Sequence, residues 1–278
     1  MTTPTSPRAP AQSHPQTDTQ NPTQTQRTFI GRILSLAATL VLLCSATACA
    51  DLARIDSDAL WKIVDLRCVP SQQATGTPGQ CTKVDLDKRY VILKDIFGRS
   101  QYLLIPTDRV TGIESPFVLA PHAQDYWVDA WDSRHYVETA VHRALPDDQL
   151  GLEINSAYRR SQNQLHIHID CLRPDVSAVL ASHAKDAPDQ WRWQTIDGER
   201  YRIMRVSSLA GASNPFRVVA RDNRGAAAMA TQTILVTGAG RDADADGWLI
   251  VNSGTEVGDG SGSAEGLMDH ACRVAHAN

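Results

Sequence analysis

An excess of basic charge is missing from this chain: 27 lysines and arginines stand against 31 aspartates and glutamates over 278 residues, for a net charge of −4 at pH 7. Nucleic-acid binding needs a positive field to neutralise phosphates, so the composition argues against such a partner. A second cluster of His, Cys and Glu is missing too. Histidines such as His122, His142 and His183 are scattered singly, without ligand spacing. A zinc site, closed or catalytic, needs more ligands than one short segment supplies. Aliphatic residues are almost absent from positions 1–27, which hold mainly Thr, Gln, Pro, Ser and Asn with Met1 and two alanines. Such a stretch has nothing to bury, and residues 1–27 are predicted to be a disordered polar N-terminus. The whole chain is nevertheless 42% hydrophobic, which is ordinary for a globular core.

One apolar run is long. Arg27 and Arg32 precede Ile33–Cys44, and small residues follow from Ser45 to Ala50. Positive flank, apolar stretch and small-residue tail predict that residues 28–50 are a membrane anchor or an export signal. From Ile33 to Ala50 the run covers about 18 residues, the lower edge of what spans a bilayer as a helix. It can be retained as an anchor, cleaved after an A-x-A site, or cleaved before Cys49 with that cysteine lipidated. Ala46 stands where a lipoprotein signal usually has Leu. With the arginines kept in the cytoplasm, everything beyond residue 51 falls on the periplasmic side of a bacterial inner membrane. Cysteine usage agrees with export. Of six cysteines, Cys68, Cys81, Cys171 and Cys272 lie beyond the run. An even number in an oxidising compartment predicts two disulfides, with three possible connectivities. Cys68 and Cys81 flank a polar loop that is cheap to close, which leaves Cys171 to hold Cys272.

The most informative segment reads S-Q-N-Q-L-H-I-H-I-D-C-L-R, residues 161–173. His166, His168 and Asp170 alternate with Leu165, Ile167 and Ile169. On a strand, that period puts two imidazoles and a carboxylate on one face and the aliphatics on the other. Two histidines side by side on a rigid strand suit either metal binding or attack on phosphorus. An isolated H-x-H also occurs on half-buried strands that do no chemistry. Just upstream, Arg159 and Arg160 suit an anionic ligand.

Around this segment the pattern predicts a short helix at Leu60–Arg67 and a hairpin of two strands, Tyr90–Asp95 and Gln101–Pro106, joined by Phe97–Ser100. Trp127, Ala130, Trp131, Arg134 and Val137 fall at helical spacing and predict one amphipathic helix over 124–143. Leu150–Asn155 reads as a strand, and Pro174–Lys185 as a helix with Pro in its first turn. Strands follow at Tyr201–Val206, Thr233–Thr237 and Trp248–Asn252, with a helical segment near Ser213–Val219. Asp242–Gly247 begins like a calcium loop, but Ser253 stands where the bidentate Glu belongs, so it reads as a polar turn. The fold class is α+β: an antiparallel sheet with helices packed on one side.

These residues resemble the histidine-triad superfamily of nucleotide hydrolases and transferases. Gln101–Pro106 is similar to its hydrophobic strand ending in Pro. Asn155, Gln162, His166 and His168 match its polar residue, glutamine and first two histidines, at seven, eleven and thirteen residues from Asn155. Within that superfamily residues 57–278 are similar to the CDP-diacylglycerol pyrophosphatases, through Y-V-I-L-K-D, Q-Y-L-L-I-P-T with E-S-P following, and Q-L-H-I-H-I-D-C-L-R-P-D-V. The resemblance implies a histidine-triad-like hydrolase domain over residues 51–278, acting on a nucleotide-lipid substrate in the membrane. It implies hydrolysis of CDP-diacylglycerol to CMP and phosphatidate, with His168 as nucleophile and His166 assisting. Asn155, Ser161, Gln162 and Asp95 are the implied substrate contacts; no metal or other cofactor is implied. A membrane-attached hydrolase or transferase of soluble nucleotides, and a non-enzymatic envelope lipoprotein, are the competing classes.

One position departs. The third place of the triad usually holds His or Gln, and here it holds Asp170. A carboxylate beside a phosphate repels it unless protonated or turned away. The departure also admits a register in which Gln164 takes the first place and His166 the central one. The Asn155 and Gln162 spacings both select His168.

Overall fold

The computed structural model describes residues 56–255 and 262–276, and the chain from Asp56 onward forms one compact unit. The expected disordered stretch at 1–27 and the expected anchor or signal at 28–50 lie outside the described residues. Among the described residues no helix is long and apolar enough to cross a membrane.

Nine strands make one antiparallel sheet among the described residues: β1 (Lys83–Asp85), β2 (Tyr90–Lys94), β3 (Tyr102–Pro106), β4 (Leu150–Ile154), β5 (Ile167–Cys171), β6 (Arg192–Ile196), β7 (Glu199–Val206), β8 (Gln232–Gly238) and β9 (Trp248–Gly254). Their order is β1-β2-β3-β5-β4-β8-β9-β7-β6. The histidine strand β5 therefore lies inside the sheet, paired with β3 (Leu103 opposite His168) and with β4 (Glu153 opposite His168). Both faces of its neighbours are apolar; β8 is buried at every position, so the sheet is covered on both sides.

On one face Ile92, Leu104, Ile167, Ile169, Leu152 and Val236 join a core with Trp127, Trp131 and Phe216. These aromatics come from α3 (Tyr126–Asp132) and from α6 (Pro215–Ala220), while α4 (His135–Val141) adds Val137. The amphipathic stretch predicted as one helix is thus two, broken at Ser133, whose hydroxyl bonds back to the Asp129 carbonyl. The opposite face carries two smaller clusters. One gathers Val64 and Cys68 over Val91, Leu103 and Ile105; the other gathers Val176 and Leu180 over Ile203, Leu235 and Val251. Their covers are the N-terminal helical stretch, α1 (Ala59–Ile63) continuing through a π-helical turn (Val64–Cys68) into α2 (Val69–Thr75), and α5 (Pro174–Leu180). Helices on one side only is therefore corrected: apolar residues at consecutive strand positions demand cover on both faces.

Smaller differences have local causes. Strands β1 and β6 escape the sequence pattern because they are sheet edges with polar, half-exposed residues. Asp242 caps a one-turn helix, α8 (Ala243–Asp246), where a turn is predicted; its carboxylate accepts from the Asp244 amide. Helix α7 (Ala226–Ala230) is an alanine-rich turn without an amphipathic pattern. Both disulfides form as read, Cys68–Cys81 and Cys171–Cys272.

Candidate active site

His168 and Asp170 on β5, and His166 directly before it, alternate and face the side of the sheet between the two smaller clusters. Ile167 and Ile169 point into the aromatic core. The two imidazole centroids lie 5.0 Å apart, and both side chains are buried. Burial disfavours the charged form, which pulls His166 down to about 4, helped by the neighbouring His168. His168 is pulled to about 4 as well, chiefly by burial, against the opposing pull of Asp95. At neutral pH both rings are uncharged and keep a nitrogen lone pair.

Their surroundings differ. His166 Nδ1 donates to the Gln164 carbonyl at 2.7 Å, so its Nε2 carries the lone pair. His168 Nδ1 lies 3.2 Å from the Gln101 amide nitrogen and 3.8 Å from Glu265 Oε1. Its Nε2 is buried with no hydrogen-bond partner among the described residues. Gln101 in turn donates to Asp95 Oδ2 (2.6 Å), and Asp95 Oδ1 accepts from the Phe97 amide (3.0 Å). Asp95 thus reaches His168 through Gln101, at the first residues of the hairpin turn.

Asp170 is turned away from a ligand role by its own partners. Fully buried, it accepts from Ser100 Oγ (2.6 Å), the Cys171 amide (2.9 Å) and His270 Nδ1 (3.0 Å). This pairing raises the His270 pKa, first through the hydrogen bond and then through Glu265 and Asp95 nearby. His270 Nε2 stands 3.7 Å from Glu265 Oε1. Glu265, Gln101 and His270 are site residues that sequence reading misses. Nothing in the spacing signals any of the three, but Glu265 and His270 both precede Cys272 closely, and the expected Cys171–Cys272 bond brings their segment to β5.

The other expected residues are distributed unevenly. Asn155, at the end of β4, is buried and donates to Glu265 Oε2 at 3.2 Å, while its Oδ1 has no partner among the described residues. Gln162 accepts from the Leu60 amide (3.1 Å) and donates to the Asp56 carbonyl (3.0 Å), so it seats the start of α1. Ser161 is exposed on the connecting loop. Arg160 is held by Glu114 at 2.6 Å, which spends the charge expected to meet an anion; Arg159 is exposed. Among the described residues no three His, Cys, Asp or Glu side chains converge as a metal site. Across from His168, Glu153 is fully buried, accepts from Thr233 Oγ1 and the Ala264 amide, and is raised well above the usual carboxylate range by burial and by Glu265.

Two uncharged imidazoles on a rigid strand, one of them ringed by amide and carboxylate groups, suit an enzyme that works by histidine chemistry. The comparisons make the class specific. The model of the CDP-diacylglycerol pyrophosphatase family matches residues 55–276, and the chain belongs to that family. It is 35% identical over 223 residues to the CDP-diacylglycerol pyrophosphatase of Yersinia pestis, covering 79% of this chain and 85% of that protein.

Proposed function

We propose that the protein hydrolyses the pyrophosphate bond of CDP-diacylglycerol, releasing CMP and phosphatidate through a nucleotidyl-histidine intermediate. Family membership supports the substrate and the bond cleaved. The observation that carries the mechanism is the buried Nε2 of a neutral His168, which has no hydrogen-bond partner among the described residues. Nε2 attacks the nucleotide-side phosphorus, an N–P bond forms, and the bond to the bridging oxygen breaks with its electron pair leaving on phosphatidate. Water then bonds to the same phosphorus, the N–P electron pair returns to the imidazole, and one water proton passes to solvent. Splitting one displacement into two lowers each barrier. His166 Nε2, oriented by the Gln164 carbonyl, assists from 5.0 Å ring to ring. Asn155 and Ser161 line the approach for the phosphates, Gln162 supports them by seating the start of α1, and Asp95 lies at the ribose end.

The lipid half needs an apolar environment. Ile96 and Phe97 are 89% and 70% exposed at the hairpin turn directly after Asp95. Consecutive exposed apolar residues on a turn fixed by the Asp95 cap suit contact with acyl chains or a bilayer surface. With residues 28–50 as anchor or signal, the domain works on the periplasmic face of the inner membrane.

A second register has one observation in its favour. His166 already holds its proton on Nδ1, which leaves Nε2 free to attack, with Gln164 in the first place of the motif. Incubating the full-length protein with CDP-diacylglycerol labelled at the nucleotide-side phosphate, then mapping the labelled peptide, decides between them. Label on His168, lost in His168→Ala and slowed in His166→Ala, is the expected result. Label on His166 sinks the first register, and turnover with no trapped histidine adduct sinks the covalent mechanism.

A further inference from the structure

We propose that Glu265 is the positioning residue for His168, accepting the Nδ1 proton so that Nε2 keeps the attacking lone pair, and that His270 holds Glu265 in that place. The inference rests on the covalent histidine reading above. Among the described residues, two groups approach His168 Nδ1, and they ask for opposite tautomers. The Gln101 amide nitrogen, at 3.2 Å, is a donor. Its orientation is fixed by Asp95, because turning the amide round would set its carbonyl oxygen against Asp95 Oδ2, 2.6 Å from the present nitrogen. Donation by Gln101 requires a bare Nδ1 and so puts the ring proton on Nε2, where it blocks attack. Glu265 Oε1, at 3.8 Å, is the acceptor within reach, and a shift of less than 1 Å converts the approach into a hydrogen bond. Nδ1–H then faces Glu265, and the positive charge that develops on the ring as Nε2 bonds to phosphorus meets a carboxylate.

Glu265 is placed from two sides. Asn155 Nδ2 donates to Oε2 at 3.2 Å, and His270 Nε2 faces Oε1 at 3.7 Å. His270 is oriented by Asp170, whose remaining capacity is filled by Ser100 and the Cys171 amide. The segment carrying both residues is fastened along β5. Leu172 bridges Met268, the Arg173 amide donates to the Leu267 carbonyl, and the Asp269 amide donates to the Cys171 carbonyl. The Cys171–Cys272 disulfide locks its end. Asp170 therefore serves the reaction without touching phosphate, as the buried anchor of His270.

Glu265→Gln and Glu265→Ala in the full-length protein test this, because Glu265 is partly exposed and either change is compatible with folding. Imidazole nitrogen NMR of the protein without substrate reads the tautomer directly. Wild type is expected to show an Nδ1–H population at His168 that Glu265→Ala shifts toward Nε2–H. With CDP-diacylglycerol, kcat is expected to fall on the order of 100-fold in Glu265→Ala with KM changed less than about threefold, and Glu265→Asp to recover part of it. His270→Ala is expected to reproduce the tautomer shift in smaller degree. An unchanged tautomer ratio in both Glu265 variants overturns the proposal, as does a loss confined to KM. Failure of wild type to turn over CDP-diacylglycerol sinks the functional reading instead and leaves the tautomer measurement standing.

Discussion

Gly151 sits directly across the strand pair from Asp170, and a methyl group on it would come 2.6 Å from the sulfur of Met268. The missing side chain is what lets the C-terminal segment lie flat against β4 and β5, with Glu265 and His270 on either side of Met268. Gly151→Ala should lift Met268, cost about 1–3 kcal/mol in stability from overpacking, and lower kcat by displacing both residues. Adding Met268→Ala should restore part of the activity. Thermal melts and turnover of the single and double variants check this; a fully active Gly151→Ala would mean that the segment does not need its present seat.

The two disulfides should separate stability from activity. Cys171 lies on β5 with its side chain on the face opposite His168, in the aromatic core, and ties down Cys272 across a sequence separation of 101 residues. Chain entropy assigns a loop of that length about 4–5 kcal/mol. Cys272→Ser should therefore lower both the melting temperature and kcat, because the segment bearing Glu265 and His270 loosens. Cys68–Cys81 closes 13 residues, worth about 3 kcal/mol on the same scale, under the N-terminal helical stretch. Cys81→Ser should cost stability and leave kcat nearly intact well below the melting temperature. Equal losses of kcat in the two variants would contradict this division.

What could be read from the sequence follows a physical line. The alternation of His166, Ile167, His168 and Ile169 gave the strand, its facing and the apolar layer behind it, because a period of two sends the imidazoles to one face and the aliphatics to the other, even though both faces are covered. The hairpin and the Cys68–Cys81 disulfide were equally local, and that pairing left only Cys171 and Cys272 for each other. The disulfide placed the segment of Glu265 and His270 but not the residues themselves, because their contacts with His168, Asn155 and Asp170 span about a hundred positions and single acidic and imidazole side chains carry no periodicity. Arg160 misled for the reverse reason: its charge is visible in sequence, whereas Glu114, which neutralises it, is 46 residues upstream. Gln162 has the spacing of a ligand contact, yet both ends of its amide hold the backbone at the start of α1.

Acid should destabilise the fold through the histidine pair. The pKa of His166 is lowered from 6.5 to about 4 in the folded protein. Between those values the unfolded chain binds the extra proton and the folded one does not, so stability is complete above about pH 6.5 and falls as the pH drops toward 4. A shift of that size corresponds to on the order of 3 kcal/mol for one group. Glu153, raised by burial, acts in the opposite sense as pH rises above its ordinary value, so the wild-type curve mixes both effects. The difference between wild type and His166→Gln isolates the first. Denaturant unfolding from pH 7 to pH 4.5 should show a steeper decline in wild type, and parallel curves would mean that His166 is not held neutral by burial.

The exposed pair at the hairpin turn should matter only when the substrate is in a bilayer. The turn that carries Ile96 and Phe97 is not loose: the Phe97 amide bonds to Asp95 Oδ1, Lys94 Nζ donates to the carbonyls of Asp95 and Gly98, and the Arg99 amide donates to the His270 carbonyl. Gly98 has a φ of +69°, and a Cβ there would meet His270 at 3.1 Å, so the turn is closed against the C-terminal segment as well. A rigid turn gives up little conformational entropy on contact, and burying two large apolar side chains is worth roughly 1.5–3 kcal/mol each. Replacing both with serine should therefore weaken kcat/KM on CDP-diacylglycerol in vesicles by at least tenfold. Hydrolysis of a short-chain, water-dispersed CDP-diacylglycerol should stay within about twofold of wild type, because neither side chain belongs to the hydrogen-bonded chain from Asp95 to His168. Equal loss on both substrates would show that the substitutions disturb Asp95 and Gln101, and no loss on vesicles would remove the turn from the lipid-facing surface.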